Sequence, residues 1–197
     1  MKPDPLYREA LRRVEEILDA AKKTGLSDPL AMTLATADRS GRPSARVVLL
    51  RGFDDRGFAF YTNSESPKGR DLSENPRAAL CFYWDALHQQ IRVEGTVAPL
   101  RKDESDRYWE ARPRAHQISA SASQQSSPLV SRAELEARIA RLDEALAGKP
   151  IPRPAHWHGY RVAPTRIEIW SMRPSRLHER DLYELRDGRW VKELLQP

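Results

Sequence analysis

The spacing of apolar residues changes along the chain and predicts a helix followed by strands. From residue 5 to residue 23 apolar side chains recur every three or four positions, the spacing of an amphipathic helix. Gly25 follows as a candidate C-cap. The apolar positions of this first helix are Leu6, Ala10, Leu11, Val14, Ile17, Leu18 and Ala21.

The next hundred residues are rich in short β-type runs. Residues 31–37 and 45–53 are joined by a polar turn and predict a hairpin, and residues 57–63 predict a third strand. A short helix is expected between Ser66 as its N-cap and Pro76, with Pro67 in its first position. Residues 77–84 and 89–100 predict two further strands.

Beyond Leu100 the pattern becomes helical and then returns to strands. Residues 102–112 predict one helix, and residues 131–148 predict a second, with Ser131 as N-cap, Glu134 completing a capping box and Gly148 as its stop. The small, polar residues 114–128 between them predict a linker, or else a binding segment, because hydroxyl and amide groups bind phosphates and heterocycles. Strands are expected at 166–172, 176–185 and 190–195. The predicted fold class is α+β, mainly an antiparallel barrel with helices packed outside.

Composition excludes several classes of protein. Hydrophobic residues make up 40% and charged residues 31%, a globular balance despite a mean hydropathy of −0.69. The net charge of +5 comes from scattered arginines without a basic stripe, so anionic small molecules are favoured over nucleic acid. No run is long and apolar enough for a membrane span, and the single Cys81 reads as a buried core thiol. We therefore expect a soluble, cytoplasmic protein.

Several familiar catalytic motifs are missing from the sequence. There is no GxGxxG, P-loop or GxSxG motif and no cysteine or histidine cluster with metal-ligand spacing. His156 and His158 flank a tryptophan, but a third ligand is lacking, so residues 156–158 are interpreted as a surface connection and no metal is expected. The sequence does contain cationic side chains near aromatic residues, a combination that suits the binding of a flat ligand that carries a phosphate. In "SRLHER", an extended chain would place Arg176, His178 and Arg180 on one face.

Five ordered segments carry a resemblance to a known family. "RVVLLRGFDDRGFAFYTN", "SPKGRDLSENPRAALCFYW", "QQIRVEG", "ARPRAHQISASASQQSS" and "RIEIW" with "RLHERDLY" resemble the pyridoxamine 5'-phosphate oxidase family. The resemblance implies one FMN-binding split β-barrel domain over residues 1–197, with a helix at 1–25, barrel strands at 28–100, a helical part at 101–150 and C-terminal strands at 160–197. It also implies a homodimer with flavin sites at the interface, hydride transfer from substrate to FMN and reoxidation by O2.

The resemblance also assigns roles to residues by position. It implies that Arg176 and His178 are the catalytic pair that holds the donor over the flavin. It implies substrate contacts from Arg51, Tyr108, Arg112 and His116. The implied FMN contacts are Arg46, Val47, Tyr61, Thr62, Lys68, Gln90, Gln125, Ser126, Trp170 and Arg180.

Departures from the family pattern bear on the substrate. In the family, a Lys, a Tyr, an Arg and a Ser hold the substrate phosphate, and here Arg51 and His116 replace the Lys and the Ser. Pro67 replaces an arginine of the flavin-phosphate stretch, which predicts weaker FMN binding. The serine run 119–123 and "RLHER" are similar to the phenazine-biosynthesis branch, so a reduced phenazine carboxylate is the favoured substrate. The alternatives are a pyridoxine or pyridoxamine 5'-phosphate oxidase and a non-catalytic flavin-binding protein.

Overall fold

The structure is a computed structural model, and it describes residues 4–197. The first helix, α1, spans Pro5–Ala21 and begins at Asp4, whose carboxylate accepts a hydrogen bond from the backbone N–H of Leu6 at 2.8 Å. The helix ends at Ala21 with Lys22 as C-cap. Gly25 has a φ of +76° and lies in the turn that follows. The helix was therefore predicted correctly, but its predicted end lies two residues beyond the observed one.

Nine strands within residues 4–197 form one sheet. Their order is β2-β1-β5-β6-β7-β4-β3, with β8 beside β7 and β9 beside β8. The pairs β1–β2, β1–β5, β3–β4, β5–β6, β7–β8 and β8–β9 are antiparallel. The strand bounds are β1 Ala31–Ala37, β2 Pro43–Leu49, β3 Gly52–Asp54, β4 Gly57–Asn63, β5 Arg77–Trp84, β6 Gln89–Pro99, β7 Trp157–Ser171, β8 Glu179–Arg186 and β9 Arg189–Leu194.

The chain divides into two compact units, and the first contains most of the sheet. This unit comprises residues 4–60, 71–98 and 161–197. In β1 and β5 alternate residues are buried, as period-two patterning requires; in β1 the buried positions are Met32, Leu34 and Thr36. The strands contribute side chains that are fully buried, among them Phe58, Phe60, Leu80, Phe82, Ile91, Val93, Ile167 and Ile169.

Polar bonds attach α1 to the last two strands. Arg13 donates to the Asp181 carboxylate at 2.8 Å and to the Tyr183 hydroxyl at 2.9 Å. That hydroxyl in turn donates to Glu9 at 2.7 Å, and Lys192 donates to the same carboxylate at 2.8 Å. Because Tyr183 is fully buried, this network fixes the position of α1 on β8 and β9.

The second unit is mainly helical and comprises residues 61–70 and 99–160. Its helices are α3 Lys102–Glu110, α4 Arg114–Ala122 and α5 Arg132–Ala145, and α2 Pro67–Glu74 begins within it. Trp109, Ile118, Ile151 and Trp157 form its core, and the Trp109 indole donates to the Ile151 carbonyl at 2.8 Å. The Ser131 hydroxyl accepts from the backbone N–H of Glu134, so Ser131 is the N-cap as predicted.

Four predictions about local structure were wrong or only partly right. The predicted linker 114–128 is helical from Arg114 to Ala122, because Gln117 and Ile118 are buried and supply a packing face that short-range polarity concealed. The helix α5 ends at Ala145, before the predicted stop Gly148. β2 stops at Leu49, and β3 is a separate strand. Cys81 is half-buried, not a core thiol.

The C-terminal strands differ most from expectation. β7 begins at Trp157, so residues 157 and 158 are strand and not a surface connection. Its start was missed because Pro164 lies within it, and proline usually marks a strand boundary. β8 begins only at Glu179, and Ser175 and Arg176 have φ values of 56° and 62°. The prediction that "SRLHER" is extended, with Arg176, His178 and Arg180 on one face, was therefore wrong.

Two kinds of feature are absent from residues 4–197. No helix in this part of the chain is long and apolar enough to cross a membrane. Over the same residues, no three His, Cys, Asp or Glu side chains are grouped so that they could hold a metal ion.

Candidate active site

A cavity of about 510 Å³ lies within the helical unit. Five of the predicted site residues line it: Tyr61, Thr62, Arg112, His116 and Gln125. The rest of the lining combines small side chains from α4 and its C-terminal end, such as Ser119 and Ser123, with apolar side chains of α5 and the indole of Trp157. An apolar wall with a few convergent polar groups is the usual composition of a small-molecule site.

A buried lysine stands beside the cavity at the start of α2. Lys68 is 9% exposed, and its Nζ donates to the Gln125 Oε1 and to the Ser66 Oγ, each at 3.0 Å. The Thr62 hydroxyl donates to the same Gln125 oxygen at 3.3 Å. The Ser66 hydroxyl donates to the Asn63 carbonyl at 2.6 Å. Residues separated by about sixty positions are thus gathered around one ammonium group.

The chain conformation here depends on Pro67 and Gly69. Proline suits the first helical position because its missing N–H has no intrahelical partner there. A Cβ on Gly69 would lie 2.2 Å from the Ser64 carbonyl oxygen, so the tight turn into α2 excludes any larger residue. A buried ammonium at a helix N-terminus, with hydroxyl and amide groups around it, fits a phosphate monoester. These residues therefore suit the phosphate of FMN.

Stacked aromatic rings position Arg112 in the cavity wall. The rings of Tyr61 and Tyr108 stack with centroids 3.9 Å apart, and Trp157 stacks on Tyr61 at 5.1 Å. The Arg112 guanidinium lies over the Trp157 ring at 4.9 Å and over the Trp109 ring at 5.6 Å. Its Nη2 also donates to the His116 carbonyl at 3.4 Å. Cation–π contacts with these two tryptophan rings restrain the guanidinium.

The sheet unit holds the other predicted residues, beginning with those of β2 and the segment after it. The Arg46 guanidinium donates to the Thr36 hydroxyl at 2.7 Å and lies 3.8 Å from the Asp71 carboxylate. Burial lowers the pKa of Arg46, and the charge of Asp71 opposes this effect. Val47 is 67% exposed, an unusual state for a strand valine. Arg51 is exposed, and its backbone N–H donates to Ala59.

Gln90 lies on β6, opposite Tyr83 of β5. Its Oε1 accepts a hydrogen bond from the Cys81 thiol at 3.4 Å. Burial raises the pKa of Cys81, so the thiol keeps its proton at neutral pH and remains a donor.

Trp170, His178 and Arg180 lie together where β7 meets β8. Trp170 pairs directly with Arg180, and its ring centroid lies 4.7 Å from that of His178. The Nδ1 of His178 accepts the backbone N–H of Arg173 at 3.3 Å, so a neutral ring carries its proton on Nε2. Arg180 donates to the buried carboxylate of Glu168 at 2.8 Å, which raises the pKa of Arg180.

The structure thus brings the predicted residues together in two groups. In the helical unit, Lys68 contacts the cavity residue Gln125, Tyr108 stacks on the cavity residue Tyr61, and Ser126 adjoins Gln125 with a φ of 69°. In the sheet unit, Trp170 and His178 are in contact, while Arg46, Val47, Arg51 and Gln90 lie on the strands or beside them.

Sequence reasoning missed two residues of these groups, Trp157 and Glu168. Trp157 lines the cavity. Glu168 is 2% exposed and accepts hydrogen bonds from Arg92 and Arg180. An acidic residue between two isoleucines of a strand was the available signal for Glu168, because a carboxylate in an apolar run needs a cationic partner.

Comparison with known proteins identifies the family. The family described as pyridoxamine 5'-phosphate oxidase matches residues 18–145, and its C-terminal dimerisation region, described for pyridoxine 5'-phosphate oxidase, matches residues 157–197. The chain belongs to the pyridoxamine 5'-phosphate oxidase family. It is accordingly an FMN-dependent oxidoreductase with the split-barrel fold, and its C-terminal strands form the dimerisation region of a homodimer.

Relatives in this family are similar over almost the whole chain. A pyridoxine/pyridoxamine 5'-phosphate oxidase of Myxococcus xanthus is 51% identical over 99% of this chain and 92% of its own. One of Rubrobacter xylanophilus is 52% identical over 99% and 88%. Among solved structures, PhzG from Burkholderia lata in complex with tetrahydrophenazine-1-carboxylic acid has a TM-score of 0.89 and is 38% identical, covering 100% of this chain and 94% of that one.

Proposed function

We propose that this oxidase converts pyridoxine 5'-phosphate to pyridoxal 5'-phosphate. In the reaction, the 4'-alcohol of the donor loses a hydride and a proton and becomes an aldehyde. Bound FMN would supply the acceptor for the hydride, and O2, the final acceptor, would take up the two electrons and two protons and leave as hydrogen peroxide. The protein is required to bind the anionic ring, orient its reacting carbon and exclude water.

The placement of Arg112 carries this proposal. Its guanidinium is held over the rings of Trp109 and Trp157 in the wall of the 510 Å³ cavity, which Thr62 and Gln125 also line. A planar guanidinium that cannot lose its charge suits a phosphate, which it can bind through two hydrogen bonds. His116, in the same wall, adds a ring N–H where the family has a serine hydroxyl. Arg51 and His116, which stand in place of the family's lysine and serine, thus still offer hydrogen-bond donors to an anion.

The similarity to named relatives supports a phosphorylated donor over a carboxylate. The two relatives named pyridoxine/pyridoxamine 5'-phosphate oxidase share about half of their residues with this chain over nearly its full length. The solved PhzG is less similar, at 38%. On these identities we favour the phosphorylated donor, whereas the sequence alone favoured a reduced phenazine carboxylate.

In the proposed reaction Arg176 and His178 orient the donor. In its neutral form the His178 ring carries its proton on Nε2, because Nδ1 accepts the backbone N–H of Arg173. That form can donate a hydrogen bond from Nε2 to the donor and cannot accept the substrate proton there. We assign positioning to both residues, with no protein nucleophile.

A second candidate donor is a reduced phenazine carboxylic acid. Ser119, Ala120 and Ser123 give the cavity a wall of small side chains, which leaves width for a tricyclic ring. A carboxylate can pair with Arg112 as a phosphate can. PhzG, which was solved with a tetrahydrophenazine carboxylic acid, is similar over the entire chain. We rank this donor second because it is supported only by a relative of lower identity, PhzG, and by the small side chains on one side of the cavity.

Anaerobic reduction of the bound flavin separates the two donors. The FMN-loaded protein is mixed with pyridoxine 5'-phosphate, with unphosphorylated pyridoxine or with the reduced phenazine acid, and the visible flavin absorbance is followed. The proposal expects bleaching by pyridoxine 5'-phosphate and at least a tenfold slower reaction with pyridoxine.

The variant Arg112→Met links the observed rate to the cavity. We expect it to weaken the apparent affinity for pyridoxine 5'-phosphate by about 10- to 100-fold, since one charge-assisted contact is lost. The exposed Arg107, on α3, provides the control Arg107→Met, which should react as the wild type does. An unchanged affinity in Arg112→Met would refute the assigned anion site.

A further inference from the structure

The loop between β7 and β8 contains two consecutive residues with left-handed backbone. Ser175 has φ 56° and ψ 23°, and Arg176 has φ 62°. Non-glycine residues rarely occupy this region because the Cβ crowds the adjoining carbonyl. Residues held this way persist where the surroundings determine the backbone, and they cluster at functional sites.

Bonds on both sides hold the loop in this conformation. The backbone N–H of Met172 donates to the His88 carbonyl at 2.9 Å, and that of Leu177 donates to the Pro174 carbonyl at 3.2 Å. The Arg173 guanidinium pairs with the Glu179 carboxylate at 2.7 Å. The strands close the loop at Ser171, which lies opposite Glu179 in the register.

The same loop holds both residues that the proposed function uses, but only the His178 side chain is bonded in place. His178 is held through Nδ1 by the backbone of Arg173 and lies against the Trp170 ring. Arg176 is exposed, and no hydrogen bond or ion pair holds its side chain within residues 4–197. The direction in which the Arg176 side chain leaves the main chain is therefore set by the backbone conformation alone. An extended backbone would send the side chain in a different direction.

We infer that the left-handed Ser175–Arg176 pair is a positioning device, which places Arg176 beside a fixed His178 at the expense of folding stability. Ser175 is the positioning residue: its side chain makes no hydrogen bond within residues 4–197, and it acts through the backbone of Arg176. Glycine would relieve the crowding and leave the loop free to adopt other conformations. This inference rests on the proposed role of Arg176 in holding the donor.

The variant Ser175→Gly tests the inference, and Asp187→Gly is its matched control. Asp187 also has left-handed backbone, with φ 48°, in the β8–β9 turn beside Gly188. Both variants should raise the unfolding temperature of the apo-protein by a few degrees. Only Ser175→Gly should speed deuterium exchange at the Leu177 amide and slow anaerobic flavin reduction, by roughly 10- to 100-fold.

The outcomes distinguish this inference from the proposed function. A Ser175→Gly protein that is more stable but reduces its flavin at the wild-type rate would overturn the positioning role. A less stable variant, or one with unchanged exchange at Leu177, would show that the loop is not strained and would overturn the inference as well. If the wild type is reduced by neither donor, the proposed donors are wrong, while stability and exchange still decide whether the loop is strained.

Discussion

Replacing Lys68 by methionine should separate cofactor binding from folding. The Lys68 ammonium is nearly buried and donates to Ser66 and Gln125, both neutral acceptors. Methionine has a similar length and no charge. Without the ammonium, the FMN phosphate loses one hydrogen bond to a charged group, which contributes about 1.5–3 kcal/mol. The dissociation constant of FMN should therefore rise about 10- to 150-fold.

The stability of the apo-protein should change little in the same variant. The Ser66 hydroxyl keeps its bond to Asn63, and the exposed Gln125 amide can turn to water. Loss of a buried charge favours folding, while loss of two hydrogen bonds opposes it. We expect a net change within about 1 kcal/mol, or about 4 °C in the unfolding temperature of a chain of this size.

Quenching of FMN fluorescence during titration with apo-protein measures the affinity, and differential scanning calorimetry measures the stability. Lys102→Met is the control because Lys102 is an exposed lysine at the start of α3. An FMN affinity within twofold of the wild type would refute the assigned phosphate site. A matching loss of affinity in Lys102→Met would show that net charge, not position, governs binding.

Three further changes test the fold and its chemistry. Gly159→Ala should cost about 1–3 kcal/mol of stability by urea unfolding, because the new Cβ would lie 2.6 Å from an aromatic ring carbon, whereas Gly52→Ala has open space and should be neutral. Since burial raises the pKa of Cys81, its labelling by a thiol reagent at pH 8 should be at least about tenfold slower in the native than in the unfolded protein, and equal rates would contradict its burial. The pKa of the Glu9 carboxyl is lowered, mainly by the hydrogen bond from the Lys192 ammonium of β9. The folding stability that this lowered pKa contributes is present above pH 4.5 and is lost as the pH falls through the lowered pKa. Glu9→Gln should therefore flatten that part of the curve of unfolding temperature against pH.

Local patterns predicted most of the elements of the fold. Residues 57–63 and 77–84 are strands over their full predicted lengths; burial alternates along residues 77–84, whereas residues 57–63 are buried along almost their whole length. The helix α4 was missed, since its buried residues Gln117 and Ile118 depend on contacts with distant tryptophans. Tertiary contacts of this kind leave no short-range signal.

The candidate site shows the same division. The types of residue that form it were visible in the sequence, but their grouping was not. Nothing local predicts that Gln125 would accept a hydrogen bond from Lys68, since the contact joins residues 57 positions apart. The left-handed Ser175 was also hidden, because serine carries no preference for that backbone and neighbouring bonds impose it.

The most direct test of the account is a single anaerobic mixing experiment with the wild-type protein loaded with FMN. One sample receives pyridoxine 5'-phosphate and another the reduced phenazine carboxylic acid, at equal concentration, and the flavin absorbance is recorded. The account predicts that pyridoxine 5'-phosphate bleaches the flavin faster. An oxidised flavin with pyridoxine 5'-phosphate, alongside rapid bleaching by the phenazine acid, would contradict it.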